Sequence, residues 1–570
     1  MRQRLNTYIQ TKHRDWITDI LLLTVGFLLL YTFCLGSYPL FPRDEGRYAE
    51  IAREMLITSD YITPRINGIA FLDKPVLYYW LQALSMSLFG VNEWAVRFFP
   101  MLFGITGIFV TYLCGRLLYN RRIACLGSLF LGTAPLYFAG AHYANLDLEV
   151  AVLISSSLLC FITAMQYSPK RTSFLFAAYA LSGLAFLMKG LIGIVFPCLI
   201  GGSWILLINW RLLGSIFLVR GFILIACIVL PWYVFVQQAN PGFLHFFFVT
   251  QQVSRFLSTQ DFNNQIMIWF YLPVIMLGLF PWSLFIPHAY VDAFQKIKEI
   301  RRTDPTRLFL LIWTIVIFAF FSIPHSKIVT YILPVFPALA LLIGHFIDQR
   351  WQDSACLKRY AISYIIATPL MLCLLILAIQ HQWVPIGVAF HKYLIAYAGV
   401  LSFSVLLTGF YFRQKDVGRL ILLWAGANIL SFLIFMTGAS AWSTESAKML
   451  SLTLNRLAKP TDTIAHYYHF FPDMLFYSQR PVAFIADWQS PTIAQHDNAI
   501  REMWYGIPFQ DTADKLVNED VFWKKWNSDQ RVFVFLKENY FEQFKKHTQS
   551  YFHYGKTNDI ILLSNHPNFI

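Results

Sequence analysis

The feature that most constrains this chain is the recurrence of long uncharged runs, among them Ile20 to Gly36, Phe98 to Gly115, Ile123 to Ala141 and Leu308 to Ile323. Each approaches the roughly 20 residues that carry a helix across a ~30 Å hydrocarbon core. Composition agrees: 57% of the 570 residues are hydrophobic, 14% are charged and the mean hydropathy is +0.51, more apolar surface than a soluble chain could bury. The runs predict an all-α polytopic membrane protein of about thirteen spans, ending near Gly438.

The short polar connections set an orientation. Arg2, Arg4, Lys12 and Arg14 precede the first span, which places the N-terminus in the cytoplasm. Counting alternately from there puts Arg121 and Arg122, Lys170 and Arg171, Arg211 and Arg220, Lys296 to Arg302, Lys358 and Arg359, and Arg413 to Arg419 on the same side. The count leaves outside the segments near 37–97, 238–265 and 324–327 and the C-terminal end. The first of these is rich in cations (Arg43, Arg47, Arg53, Arg65, Lys74, Arg97) and also in acids (Asp44, Glu45, Glu50, Glu54, Asp60, Asp73, Glu93), so it reads either as simple charge balance or as a place where an anion is held. The net charge of +13 lies mostly in the cytoplasmic loops and argues for topology rather than nucleic acid. Of 8 cysteines, seven fall in or beside spans and Cys356 in a cytoplasmic loop, so no external disulfide framework is expected. The first apolar run lacks a small-residue cleavage site and is expected to stay as a span.

Three regions follow: a cytoplasmic tail, residues 1–15; a membrane domain, 16–438, with the external loop 37–97 inside it; and an external α/β domain, 439–570. In the loop, Tyr48, Ile51, Ala52, Met55 and Leu56 recur at helical spacing opposite Glu45, Glu50, Arg53 and Glu54, which predicts an amphipathic helix from Asp44 to Leu56 lying on the membrane surface. A second helix is expected to begin at Pro75 and run through Val76 to Phe89. In the tail, strand-like runs at Thr463–Tyr468, Val482–Ala486, Arg531–Leu536 and Ile560–Ser564 alternate with helix-like stretches at Glu445–Ala458 and Glu538–His547.

Several residues have two readings on spacing alone. Asp44 is either a helix N-cap or a site acid with Arg47 and Tyr48 beside it at i+3 and i+4. Asp147, at the external end of a span, is a solvated cap unless it belongs to a site, and Lys189 at another span end is a snorkelling cation unless it meets a ligand. Tyr331 reads as an interfacial anchor, and His325 and Lys327 as a solvated turn, unless they line a cavity.

The run Asp44-Glu45-Gly46-Arg47-Tyr48-Ala49-Glu50-Ile51-Ala52-Arg53-Glu54-Met55, followed by Asp60-Tyr61-Ile62-Thr63-Pro64, Asn67-Gly68 and Asp73-Lys74-Pro75, closely resembles the first periplasmic loop of ArnT-like glycosyltransferases. Further matches follow in order at Asn145-Leu146-Asp147, Met188-Lys189-Gly190, Arg255-Phe256, Phe280-Pro281-Trp282 and Ser326-Lys327 leading to Thr330-Tyr331-Ile332-Leu333-Pro334. The resemblance implies the C-type glycosyltransferase fold with thirteen spans in a bacterial inner membrane. It implies a sugar donor on undecaprenyl phosphate and a lipid A acceptor, with aminoarabinose the leading sugar and galactosamine, galacturonate or another hexose as alternatives. By the same resemblance Asp44 takes the place of the essential acid and Asp147 is a second acid. Lys74, Arg255 and Tyr331 hold the donor phosphate, and Arg47, Tyr48 and Lys327 line the cavity. A divalent metal such as zinc would fall on Asp73, but the family often has Glu there, and its histidine partner is here Gln252.

Two other readings stay open. A protein O-mannosyltransferase-like enzyme would use a polyprenyl-phosphate sugar with a Ser or Thr acceptor. A transporter would show internal repeats or broken helices bearing mid-membrane charge, whereas the conspicuous charges here gather at one face.

Overall fold

The computed structural model describes residues 2–254, 266–383, 387–413, 416–442, 446–490, 492–493, 498–548 and 550–567. Among them, ten helices are long and apolar enough to cross a bilayer, from Asp15–Thr32 to Val417–Ala441. Two bent pairs, Arg121–Gly132 with Pro135–Ala141 (64°) and Tyr271–Gly278 with Trp282–Gln295 (116°), raise the number to 12 if each pair is one span. The expected count of about thirteen is reached only if the shorter apolar helix Ile192–Ile208 is included. The chain is a multi-pass membrane protein, mostly helical, with a small C-terminal sheet.

The chain packs as two compact units. One comprises Met1–Leu35, Phe99–Val229 and Phe262–Ala439; the other comprises Gly36–Phe98, Leu230–Asp261 and Ser440–Ile570.

The first unit is the bundle of apolar helices. Its two bent pairs free backbone carbonyls where water is scarce, and such groups must find partners inside the protein. One side chain serves both breaks: Asn428 Nδ2 donates to Thr133 O at 2.8 Å and to Phe280 O at 2.9 Å. The Trp282 indole N–H adds a bond to Thr133 Oγ1 at 3.0 Å.

The second unit is built around a six-stranded sheet of order β5-β4-β3-β6-β8-β7, with β3 (Thr463–Tyr467), β4 (Ala483–Ile485), β5 (Leu516–Val517) and β6 (Val532–Lys537) parallel. The strands β7 (Phe552–Thr557) and β8 (Ile560–Ser564) close it antiparallel. Side chains alternate across the sheet. Tyr467, Val534 and Leu536 pack with Phe522, Trp526 and Phe544 on one face. On the other, His466 lies against Phe471 and Phe535. The four expected strands are present, while β5 and β7 were not foreseen, being short or exposed. The helix expected from Glu445 is seen as Lys448–Leu457, residue 445 lying outside the described residues, and the one expected from Glu538 begins as a 3₁₀ turn before Phe541–His547.

The same unit holds the helices Arg47–Thr58 and Leu77–Phe89, with a hairpin between them, β1 (Arg65–Ile66) and β2 (Ile69–Ala70). Its two-residue turn is Asn67-Gly68, both at positive φ (55° and 74°), the conformation this dipeptide adopts with least strain. Asn67 then exchanges two bonds with Val482 of the C-terminal segment, at 2.8 and 2.9 Å.

The first helix departs from its expected setting. Its polar face is not solvated: Glu50, Arg53 and Glu54 are all buried. The hairpin and the helix Pro472–Ser478 pack against it, in addition to Leu77–Phe89. Burial is tolerated because each charge has a partner. Arg53 holds Glu50 with two bonds of 2.7 Å, and Glu54 accepts the Gly68 N–H at 3.0 Å.

Candidate active site

Asp44 lies in a π-helical turn, Pro42–Gly46, that runs directly into the helix Arg47–Thr58. The N-cap reading of Asp44 is therefore wrong. The cap position is Phe41, whose N–H is taken by Glu45 Oε2 at 2.9 Å, and the Asp44 carboxylate is turned instead to Arg47 Nη2 at 2.9 Å. The turn is fixed from two sides. Glu45 and Arg97, both fully buried, form a two-pronged ion pair of 2.8 and 2.6 Å, and Arg97 also binds the carbonyls of Tyr38 and Pro39. On the other side Gly46 abuts the backbone of Asp473, where a Cβ would come within 2.7 Å of the amide nitrogen.

Arg47 joins Asp44 to a residue 455 positions away, Glu502 on the helix Asn498–Trp504, through bonds from Nη1 to both carboxylate oxygens. Burial pushes the Glu502 carboxyl up, Asp73 adds to this, and Arg47 and Lys74 oppose it. Asp73 and Lys74 are thus near enough to act on that carboxyl. Arg47 also lies over the rings of Tyr48 (5.0 Å) and Phe71 (5.6 Å). Tyr48 in turn packs edge-to-face on Tyr78 at 5.4 Å and tilted on Tyr79 at 6.0 Å. The Lys74 ammonium donates to Asp73 O at 3.3 Å. Two buried donors in this cluster have no hydrogen-bond partner among the described residues: Arg47 Nε and the Tyr79 hydroxyl.

The Asp73 Oδ1 accepts the Gln251 amide N–H at 3.3 Å. Among the described residues no group of three or more His, Cys, Asp or Glu side chains could hold a metal ion. The neighbour is Gln251, not the Gln252 that stands near the family's histidine position.

A second cluster forms within the helical unit. Asn145, not Asp147, caps the helix Leu146–Gln166, accepting the Asp147 N–H at 2.6 Å. Asp147 is buried, ion-paired with Lys189 and hydrogen-bonded by the Thr330 hydroxyl. Lys189 also lies 4.1 Å from the centroid of the Tyr331 ring. Asp147 is thus no solvated cap and Lys189 no snorkelling cation, because each neutralises the other where water is excluded. Lys327 is likewise not solvated: it is buried, donates to the carbonyls of Ile266 (2.9 Å) and Pro324 (2.5 Å), and loss of hydration pulls its pKa down. Arg255 lies outside the described residues.

Asp44, Arg47, Tyr48, Asp73 and Lys74 are therefore brought together, as are Asp147 and Tyr331. Glu502, Tyr79 and Thr330 were not singled out from sequence. Thr330 alone carried a signal there, standing inside a quoted motif. Electrostatically, the first cluster pairs fixed cations with carboxylates, two donors are left over, and Asp44 is partly exposed. Such a set can grip an anionic group and orient a nucleophile beside it.

Residues 73–235 match the family described as dolichyl-phosphate-mannose-protein mannosyltransferase. The chain is 33% identical over 329 residues to an undecaprenyl phosphate-alpha-4-amino-4-deoxy-L-arabinose arabinosyl transferase of Proteus mirabilis, covering 57% of this chain and 59% of that protein. A similarly named protein of Enterobacter sp. is 28% identical over 476 residues, 82% of this chain and 78% of its own length. The match thus spans less than two thirds of the Proteus mirabilis protein and more of the Enterobacter one. Among solved structures, ArnT from Cupriavidus metallidurans bound to undecaprenyl phosphate superposes with a TM-score of 0.83 at 25% identity, over 96% of this chain and 98% of that one.

Proposed function

We propose, for a chain that is ArnT-like in sequence and in fold, that it is a glycosyltransferase moving a sugar from undecaprenyl phosphate to a phosphate of lipid A. The sugar we assign is 4-amino-4-deoxy-L-arabinose. The observation that carries the reading is the gathering of Asp44, Arg47, Asp73, Lys74 and Glu502 in one cluster. We place the protein in the bacterial inner membrane, N-terminus cytoplasmic and C-terminal domain periplasmic, in line with the distribution of its loop cations.

The chemistry is a direct displacement with inversion at the anomeric carbon. The bond from that carbon to the donor phosphate oxygen breaks as the acceptor oxygen attacks from the opposite face. Negative charge grows on the departing polyprenyl phosphate, and Lys74 stabilises it by charge-assisted hydrogen bonding, the role the resemblance also gives to Arg255 and Tyr331. A phosphate acceptor is already ionised near neutral pH, its second pKa being about 6. Asp44, oriented by Arg47, then positions the nucleophile. With a hydroxyl acceptor it would instead take the proton.

The test is mass spectrometry of lipid A from cells with and without the protein, repeated with Asp44→Asn and Lys74→Ala. Both variants are expected to insert normally and to abolish the sugar's mass increment. Full modification by both would remove the assignment. The family match at residues 73–235 favours one other reading, transfer to a Ser or Thr of a protein, and mass increments on intact secreted proteins with unmodified lipid A would establish it.

A further inference from the structure

The Tyr79 side chain poses an imbalance that packing does not explain. It is fully buried in the helix Leu77–Phe89, yet its hydroxyl makes no hydrogen bond among the described residues. A buried hydroxyl left without a partner is destabilising, and a phenylalanine would pack the same ring without that cost. The neighbouring Tyr78 has spent its own hydroxyl, accepting from Gln82 Nε2 at 2.9 Å. Tyr79 stands at the polar cluster: its ring lies 6.0 Å from that of Tyr48, and it feels the charges of Arg47, Asp73 and Glu502. Within that cluster the other unspent buried donor is Arg47 Nε, on the side chain that holds Asp44 and Glu502. Two leftover donors in one cluster call for an acceptor that the described residues do not supply.

We propose that Tyr79 is a substrate-binding residue of the transferase site, its hydroxyl and the Arg47 Nε–H forming a subsite for an oxygen of the lipid-linked donor. The inference rests on the transferase reading and adds to it a residue and a specific contact. An oxygen acceptor on the donor can be a sugar hydroxyl or a phosphate oxygen, and the two sources separate experimentally.

The decisive variant is Tyr79→Phe in the full-length protein, with Tyr78→Phe beside it. Transfer from the sugar-bearing donor and binding of undecaprenyl phosphate alone are both measured, together with thermal unfolding in detergent. Tyr79→Phe is expected to keep or raise the unfolding temperature while kcat/KM falls about tenfold, the size of one lost substrate hydrogen bond. Unchanged binding of undecaprenyl phosphate assigns the contact to the sugar, and binding weakened by the same factor assigns it to the phosphate. Tyr78→Phe is expected to lower the unfolding temperature and leave kcat/KM unaltered, since its hydroxyl is used inside the fold. Unaltered kcat/KM in Tyr79→Phe, or an equal fall in both variants, overturns the proposal. A wild-type protein that transfers no sugar at all refutes instead the transferase reading on which it rests.

Discussion

Replacing Lys189 by methionine tests the ion pair in the helical unit most directly. In the structure the Lys189 and Asp147 side chains are only 14% and 6% exposed, and the lysine also covers the Tyr331 ring. Removing one member of a buried pair leaves the other charge uncompensated and costs about 3–5 kcal/mol, with about 1 kcal/mol more from the lost cation–π contact. Asp147 would keep the Thr330 hydroxyl, so the lower end, about 3 kcal/mol, is expected. A snorkelling lysine would behave otherwise, since an unpaired surface substitution changes stability by less than about 0.5 kcal/mol. The double variant Asp147→Asn with Lys189→Met discriminates further, because neither charge is then left to bury. It should lie within about 1 kcal/mol of the wild type, well short of the sum of the single effects. The assay is reversible denaturant unfolding of the four proteins in one detergent. A harmless Lys189→Met, or strictly additive losses, would refute the pairing argument.

Glu54 gives the expected pH dependence. Burial, with Glu50 adding to it, raises its pKa from 4.5 to about 7, so between those values the folded protein binds more protons than the unfolded chain. The sign is then fixed: this group makes stability fall as pH rises through that window, by up to about 3 kcal/mol, and Glu54→Gln should abolish the fall. Parallel stability–pH curves for wild type and variant would contradict it. Asn428→Leu strips the partner from Thr133 O and Phe280 O at the two helix breaks and should cost about 2 kcal/mol or more, read by the same unfolding assay. A loss below about 0.5 kcal/mol would mean that those carbonyls find other partners.

The parts of this molecule that were legible in its sequence are those governed by local rules. Apolar length reports a span because the bilayer imposes it, and β3, β4, β6 and β8 showed as strands because their residues are β-branched or aromatic and bounded by turn signals. Asp44, Arg47 and Tyr48 could be grouped because they share one helical turn. Lys189 shows where such rules stop. A lysine at the end of a span has the same local sequence whether it reaches for headgroups or for a carboxylate on another helix, and only the fold decides.

Glu502 and Tyr79 were hidden for two different reasons. Glu502 stands in a stretch with no motif, and its importance comes wholly from a partner 455 residues earlier. Nothing in the tail's own pattern marks it, so its contribution becomes visible only once the chain has folded Gly46 onto Asp473 and brought that tail beside the Asp44 turn. Tyr79 is concealed by the opposite circumstance, an apolar run in which an aromatic residue is expected and its hydroxyl passes as incidental. What distinguishes it from Tyr78, one residue away and equally buried, is that among the described residues one hydroxyl has a partner and the other has none. A difference of one hydrogen bond between adjacent tyrosines has no counterpart in composition or periodicity. It exists only as an imbalance in the folded site, and an imbalance of that kind is where a substrate atom would be accommodated.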